Sequence, residues 1–200
     1  MSVPNLILAS QSAARQDMLI RAGVEFETKA AYVDEEAIRA ALAQAGQPPR
    51  NWADALAEAK ALKVSMSRPE ALVLGADQIL ECRAQAFEKA PDLKSLRQHL
   101  EALSGHEHRL YSAAVIAQGG QCLWRFIGAA KLKMRTLSSA FLDYYLDAHG
   151  ENVLSSVGGY HIESSGIQLF EQIEGDYFSI LGLPLLPVLK QLRHYGVLRP

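Results

Sequence analysis

Leu72-Val73-Leu74-Gly75-Ala76-Asp77 is the stretch on which the fold turns. An unbroken apolar run without alternation describes a strand covered on both faces, as sheets flanked by helices require. The strand is expected to end at Asp77, and a carboxylate at the end of a buried strand points to site chemistry rather than to packing. Upstream, Asn5-Leu6-Ile7-Leu8-Ala9 repeats the buried-strand pattern, bounded by Pro4 and Ser10. A helix is expected directly after it, capped by Ser12, with Ala14, Met18 and Ala22 on one face and Gly23 past its end. Val24 to Thr28 then alternates apolar with polar, as a half-buried strand does.

Between these strands, Asp34 can cap a helix to about Ala45. Asn51 can cap another, with Leu56, Ala59 and Met66 inward and Pro69 closing it. Downstream, Asp92 precedes Leu93, Leu96, Leu100 and Leu103 at helical spacing. His108–Ala117 and Gln121–Met134 are strand-rich and meet at Gly119-Gly120, a hairpin signature. Ser138 can cap a helix through Tyr145, stopped by Gly150. Short strands are expected between Gly158-Gly159 and Ser164-Ser165-Gly166. Gly182-Leu183-Pro184-Leu185 opens a last helix, with Leu186, Leu189 and Leu192 inward. Helices alternating with strands along the chain define an α/β class with a mixed sheet, in one domain over residues 1–200.

Composition narrows the function. The chain has 200 residues, a formal net charge of −2 and 49% hydrophobic residues. That apolar content excludes disorder, and the near-neutral charge argues against binding a nucleic-acid polymer, which needs a basic surface. No apolar run approaches the roughly 18 residues of a membrane span, and the N-terminus lacks signal-peptide regions, so the chain reads as soluble and cytoplasmic. Cys82 and Cys122 cannot form a disulfide framework and read as small core residues. His106-Glu107-His108 has two possible metal ligands without a third, a pattern that more often lines a surface or braces a neighbouring loop.

The chemistry-bearing residues are local. Ser10, Ser12 and Arg15 place two hydroxyls and a guanidinium where a strand gives way to a helix N-terminus, a natural anion seat. A capped helix with a surface arginine would read the same way. Lys60 and Lys63 share a helix face that could be a solvated stripe, and Lys89 reads as a loop lysine. Asp77 alone stands out unaided.

Taken in order, Leu8-Ala9-Ser10-x-Ser12, Ala59-Lys60-Ala61, Gly75-Ala76-Asp77-Gln78, Lys89-x-Pro91, Leu103-Ser104-Gly105-x-x-His108, Glu174-Gly175 and Gly182-Leu183-Pro184-Leu185 resemble the Maf family of nucleoside triphosphate pyrophosphatases. The match runs from about Leu6 to about Leu186. The resemblance implies an elongated mixed sheet with flanking helices, two lobes around a central cleft, and a homodimer. It also implies hydrolysis of a nucleoside triphosphate between its α- and β-phosphates, with a divalent cation, Mg²⁺ or Mn²⁺. The family's proton acceptor falls on Asp77. Its phosphate-binding and catalytic positions fall on Ser10, Arg15, Lys60 and Lys89, and an acidic position linked to metal falls on Glu35.

Gln78 and Glu163 are similar to the subgroup that hydrolyses 7-methyl-GTP. A carboxylate at 163 suits the N1–H and 2-amino edge of guanine and the charge added by N7 methylation. The sequence departs from that subgroup at Ala13 and Ala14, where it has a proline and an aromatic residue, at Gln16, at Ala90 between Lys89 and Pro91, and at Ser156-Val157-Gly158. Ala14 therefore counts with Gln78 and Glu163 among the specificity positions. The alternatives are a dTTP- or UTP-hydrolysing enzyme, a nucleotide-binding regulator of cell division with weak catalysis, and an α/β interaction module.

Overall fold

The computed structural model describes residues 5–200. In chain order it comprises β1 (Leu6–Ala9), α1 (Ala13–Arg21), β2 (Glu27–Thr28), α2 (Glu35–Gln44), α3 (Pro49–Ser67), β3 (Leu72–Cys82), β4 (Gln85–Phe87) and α4 (Leu93–Leu103). Then follow β5 (Glu107–Gln118), β6 (Gln121–Met134), α5 (Ser139–Val153), a 3₁₀ turn at Ser165–Leu169, β7 (Phe170–Gly175), α6 (Tyr177–Ile180) and α7 (Leu185–His194). The seven strands form one sheet, ordered β2-β1-β3-β5-β6-β7 with β4 also on β3. β1 is parallel to β2 and β3, and every other pairing is antiparallel. The α/β class and mixed sheet expected from the sequence are present.

Strand β3 organises the molecule. One edge pairs along its length with β5, whereas the other pairs with β1 from Leu72 to Gly75 and with β4 from Leu80 to Cys82. Neither strand covers that edge at Ala76–Ile79, and the cleft opens there. Alternation assigns the faces. Val73, Gly75, Asp77 and Ile79 look toward α3, and Gly75 lets that helix approach closely: a Cβ there would collide with Ala57 O and stand 2.7 Å from Ala61 N. On the other face, Leu72, Leu74 and Ala76 pack with Met18, Leu19, Val188 and Leu192 of α1 and α7. Farther along, Leu80 and Cys82 join a separate core with Leu96, Leu100, Leu142 and Tyr145 of α4 and α5. These two cores lie under separate helical covers on one face of the sheet, with the cleft between them, and α3 covers the opposite face over two further clusters.

Several sequence expectations change. β3 does not end at Asp77: Ile79, Leu80 and Cys82 continue to bury apolar surface, which leaves the carboxylate mid-strand. Only Glu27 and Thr28 of the expected Val24–Thr28 strand pair with β1. α3 starts at Pro49, which needs no N–H there, while Asn51 lies within the first turn and donates to Gln47 Oε1 instead of capping. Met66 and Leu186 are exposed, because each falls off its helix's buried stripe. Gly150 does not stop α5; it allows close contact with Leu93 Cδ2 and the helix continues to Val153. No strands form between Gly158 and Gly166, where turns lead into the 3₁₀ segment. Cys82 is buried and Cys122 only partly so. No helix among the described residues is long and apolar enough to cross a membrane.

Candidate active-site cleft

A cleft of about 980 Å³ opens at the uncovered edge of β3. Ser10, Ser12, Ala14, Arg15, Glu35, Lys60, Asp77, Gln78, Lys89 and Glu163, separated widely in sequence, all line it. Ser12 caps α1 as expected, accepting from Arg15 N at 3.5 Å. One turn in, the Arg15 side chain leaves the solvated face and is 9% exposed. Its Nε donates to Gly182 O at 2.8 Å, and its Nη1 donates to Ser10 Oγ at 3.0 Å and Ala76 O at 3.1 Å. The last bond satisfies a carbonyl on the stretch of β3 edge that neither β1 nor β4 reaches. Burial lowers the Arg15 pKa, opposed by the charges of Asp77 and Glu35, yet an arginine stays protonated in such a site. Its Nη2 makes no hydrogen bond among the described residues.

Lys60 and Lys63, placed together by the sequence, part company. Lys60 lies in the inward stripe of α3 with Ala53, Leu56, Ala57 and Val64, whereas Lys63 is exposed. The Lys60 ammonium donates to Asp77 Oδ1 at 2.6 Å and stands 2.8 Å from Glu35 Oε1. Arg39, one turn beyond Glu35, donates from Nη1 to Glu35 Oε2 at 3.1 Å. Its Nε is 2.8 Å from Glu88 Oε1, a charge contact without hydrogen-bond alignment. Burial tends to raise the Glu35 pKa, but Lys60 and Arg39 outweigh it and hold the carboxyl below its ordinary value. Lys89 is at the mouth, on the loop after β4. Burial of its ammonium against the cleft wall, then the nearby Arg15 and Lys60 charges, lower its pKa despite Asp77 and Glu35.

Asp77 and Gln78 are sequence neighbours on opposite faces of β3. Gln78 Nε2 reaches Ser112 Oγ, Ser179 O and Ile180 O, each at 3.0 Å, which ties α6 and the following Gly182 to the sheet. Glu163 is exposed on the opposite wall, and Ala14 presents only a methyl group to the cleft. Sequence reasoning missed Arg39 and the Gly182 carbonyl. The Glu35–Arg39 spacing of four residues on a helix was the available sign for the former. It also missed Tyr32, an exposed aromatic at the cleft mouth held at φ 47°, a left-handed conformation costly for a bulky residue. The His106-Glu107-His108 triplet divides, with His106 exposed and His108 buried against Tyr160, and no group of three or more His, Cys, Asp or Glu suited to a metal occurs among the described residues.

The carboxylates bear on metal binding. Lys60 holds Asp77 Oδ1 and Glu35 Oε1, Arg39 holds Glu35 Oε2, and only Asp77 Oδ2 lacks a cation among the described residues. This donor set is too small for an all-protein cage. It fits an ion such as Mg²⁺, which keeps waters and binds through one or two carboxylates together with substrate phosphates.

An open α/β sheet whose cleft gathers guanidinium, ammonium and carboxylate groups at a gap in a strand edge defines a class: proteins with a charged cleft whose fixed cations suit an anionic ligand. The chain belongs to the Maf-like protein family, whose model matches residues 5–195. A relative from Mesorhizobium japonicum, named 7-methyl-GTP pyrophosphatase, is 51% identical over 193 residues, covering 96% of this chain and 97% of its own. A relative from Caulobacter vibrioides, named nucleoside triphosphate pyrophosphatase, is 50% identical over 198 residues and 99% of each chain. Another 7-methyl-GTP pyrophosphatase, from Brucella abortus, is 47% identical over 188 residues and 94% of each chain.

Proposed function

We propose that this protein is a nucleoside triphosphate pyrophosphatase, with 7-methyl-GTP its preferred class of substrate, converting a nucleoside triphosphate and water to the monophosphate and pyrophosphate. The observation that carries the reading is the cluster at the uncovered edge of β3, in which Lys60 bridges Asp77 and the half-exposed Glu35 while buried Arg15 is fixed on the Ala76 carbonyl beside them. The names of the relatives support it independently.

Asp77 is the proton acceptor. Its Oδ1 is fixed by Lys60, so Oδ2 is the oxygen available to take a proton from an attacking water. Lys60 keeps the carboxylate aimed. Arg15 is held rigidly by Gly182, Ser10 and Ala76, which leaves Nη2 for a phosphate oxygen without reorganisation during the reaction. Lys89 closes the same end from the opposite loop, and arriving phosphates favour its charged form. Glu35, whose salt-bridged oxygens keep further lone pairs, would hold a divalent cation with the triphosphate, where it would neutralise charge on the phosphates and leave Asp77 Oδ2 for the proton. The same proposal includes a single domain, a homodimer, a cytoplasmic setting and no nucleic-acid or membrane partner.

The test is pyrophosphate release from 7-methyl-GTP, GTP, dTTP and UTP at equal concentration, with Mg²⁺ or Mn²⁺ and with chelator. Metal-dependent release led by 7-methyl-GTP is expected. Preference for dTTP or UTP would transfer the protein to the pyrimidine class, and nucleotide binding without any release would leave a regulator. Light scattering tests the dimer.

A further inference from the structure

The segment from Ser155 to Ser164 forms the cleft wall that carries Glu163, and it contains neither helix nor strand. Such a loop holds one shape only if side chains anchor it. Its anchors are hydroxyls, those of Tyr145 and Tyr160 buried and that of Ser156 partly so. Tyr145 donates to Gly159 O at 3.1 Å, and Ser156 Oγ donates to Tyr160 O at 2.8 Å. Tyr160 points from the loop into the core, where its phenol oxygen and His108 Nε2 share a 2.7 Å hydrogen bond. The Tyr160 ring packs edge-on against Phe170 at 4.8 Å and beneath Gly158, where a Cβ would collide with it. His108 belongs to strand β5, paired across the hairpin with Leu132, so the loop is tied to the sheet.

This wall differs chemically from the opposite one. It contributes hydroxyls, backbone, apolar side chains, the His161 imidazole and the Glu163 carboxylate, with neither lysine nor arginine, and so suits a nucleobase better than a triphosphate tail. We infer that His108 and Tyr160 are positioning residues for base recognition: their buried hydrogen bond sets the place of the Gly158–Glu163 wall and thereby the affinity for the base, separately from the phosphates. Burial supports a neutral bond, pushing His108 down to about 4 and the Tyr160 phenol upward, so both partners are uncharged at neutral pH.

The inference rests on the nucleotide reading, and its test works without turnover. Affinities for 7-methyl-GTP and for inorganic tripolyphosphate, which has no base, are measured by calorimetry in chelator for the wild-type protein, Tyr160→Phe, His108→Leu and the double variant. Each single variant is expected to weaken 7-methyl-GTP about tenfold, the order of one lost buried hydrogen bond, with tripolyphosphate unchanged. The double variant is expected to be no worse than either, because both remove the same bond. Ser156→Ala, which loosens the same loop without opening the core, serves if the others fail to fold and should show the same split. Parallel loss of both ligands, or no change in either, overturns the inference. Absence of pyrophosphate release from the wild-type protein would count against the catalytic reading alone.

Discussion

Where β3 passes Asp77, the cleft is held by charge, with Lys60 between two carboxylates and Arg15 locked onto backbone carbonyls. Across the cleft, the Ser155–Glu163 wall is held by neutral hydroxyl bonds and a buried imidazole. The contrast matches the two ends of the proposed substrate. A triphosphate must be matched by cations already desolvated and oriented, since their field is strongest away from water. A base is recognised by shape and a few polar edges, which need a wall that does not move.

Breaking the charged end should affect rate before stability. Asp77→Asn is expected to lower pyrophosphate release about 10³-fold while nucleotide affinity and melting temperature stay near wild type, as steady-state kinetics, calorimetry and thermal unfolding would show. Wild-type turnover in that variant would remove Asp77 from the chemistry.

Breaking the neutral end should affect stability in acid. Burial holds folded His108 near pH 4, against about 6.5 unfolded, so the unfolded chain binds the extra proton between those values. The stability this contributes is complete above about pH 6.5 and falls progressively toward pH 4, by roughly 3 kcal/mol. Urea midpoints across that range would measure it. His108→Gln should flatten the decline, and an unchanged slope would count against the buried neutral imidazole.

Gln78 belongs to the seam between the ends, since it holds α6 and the Gly182 turn that anchors Arg15. Gln78→Ala should destabilise the fold by about 2 kcal/mol through unsatisfied buried acceptors, and weaken tripolyphosphate binding through Arg15. Stability loss without the binding loss would separate the seam from the charged end. The smallest expected effect is at the cap of α1: Ser12→Ala should cost about 0.5–1 kcal/mol in thermal unfolding, because its capping contact to Arg15 N is long at 3.5 Å.

Much of this was legible in the chain. The apolar runs Leu6–Ala9 and Leu72–Ala76 are buried strands, and Ser12, Asp34, Asp92 and Ser138 cap their helices. These features depend on neighbours within a few residues, which a linear pattern records. The candidate residues were legible as types at motif spacing. Their partners were not. Lys60 and Lys63 look alike in sequence, and only the packing of α3 onto Gly75 turns one to Asp77 and leaves the other in water. His108 read as a surface residue, a loop brace or a weak metal ligand, and Tyr160, 52 residues away, decided among them.

The sequence by itself determined the local elements, the class of fold and the set of residues able to meet phosphate, because hydrophobic period, capping and side-chain chemistry act over short range. The tertiary structure alone decided that β3 runs on past Asp77 and that neither β1 nor β4 covers its edge there. It also decided that Gln78 faces away from its neighbour's chemistry and that a buried His108–Tyr160 bond supports the far wall. Those outcomes depend on which segments meet across the sheet, and burial and charge balance are set by that meeting rather than by any one stretch of chain.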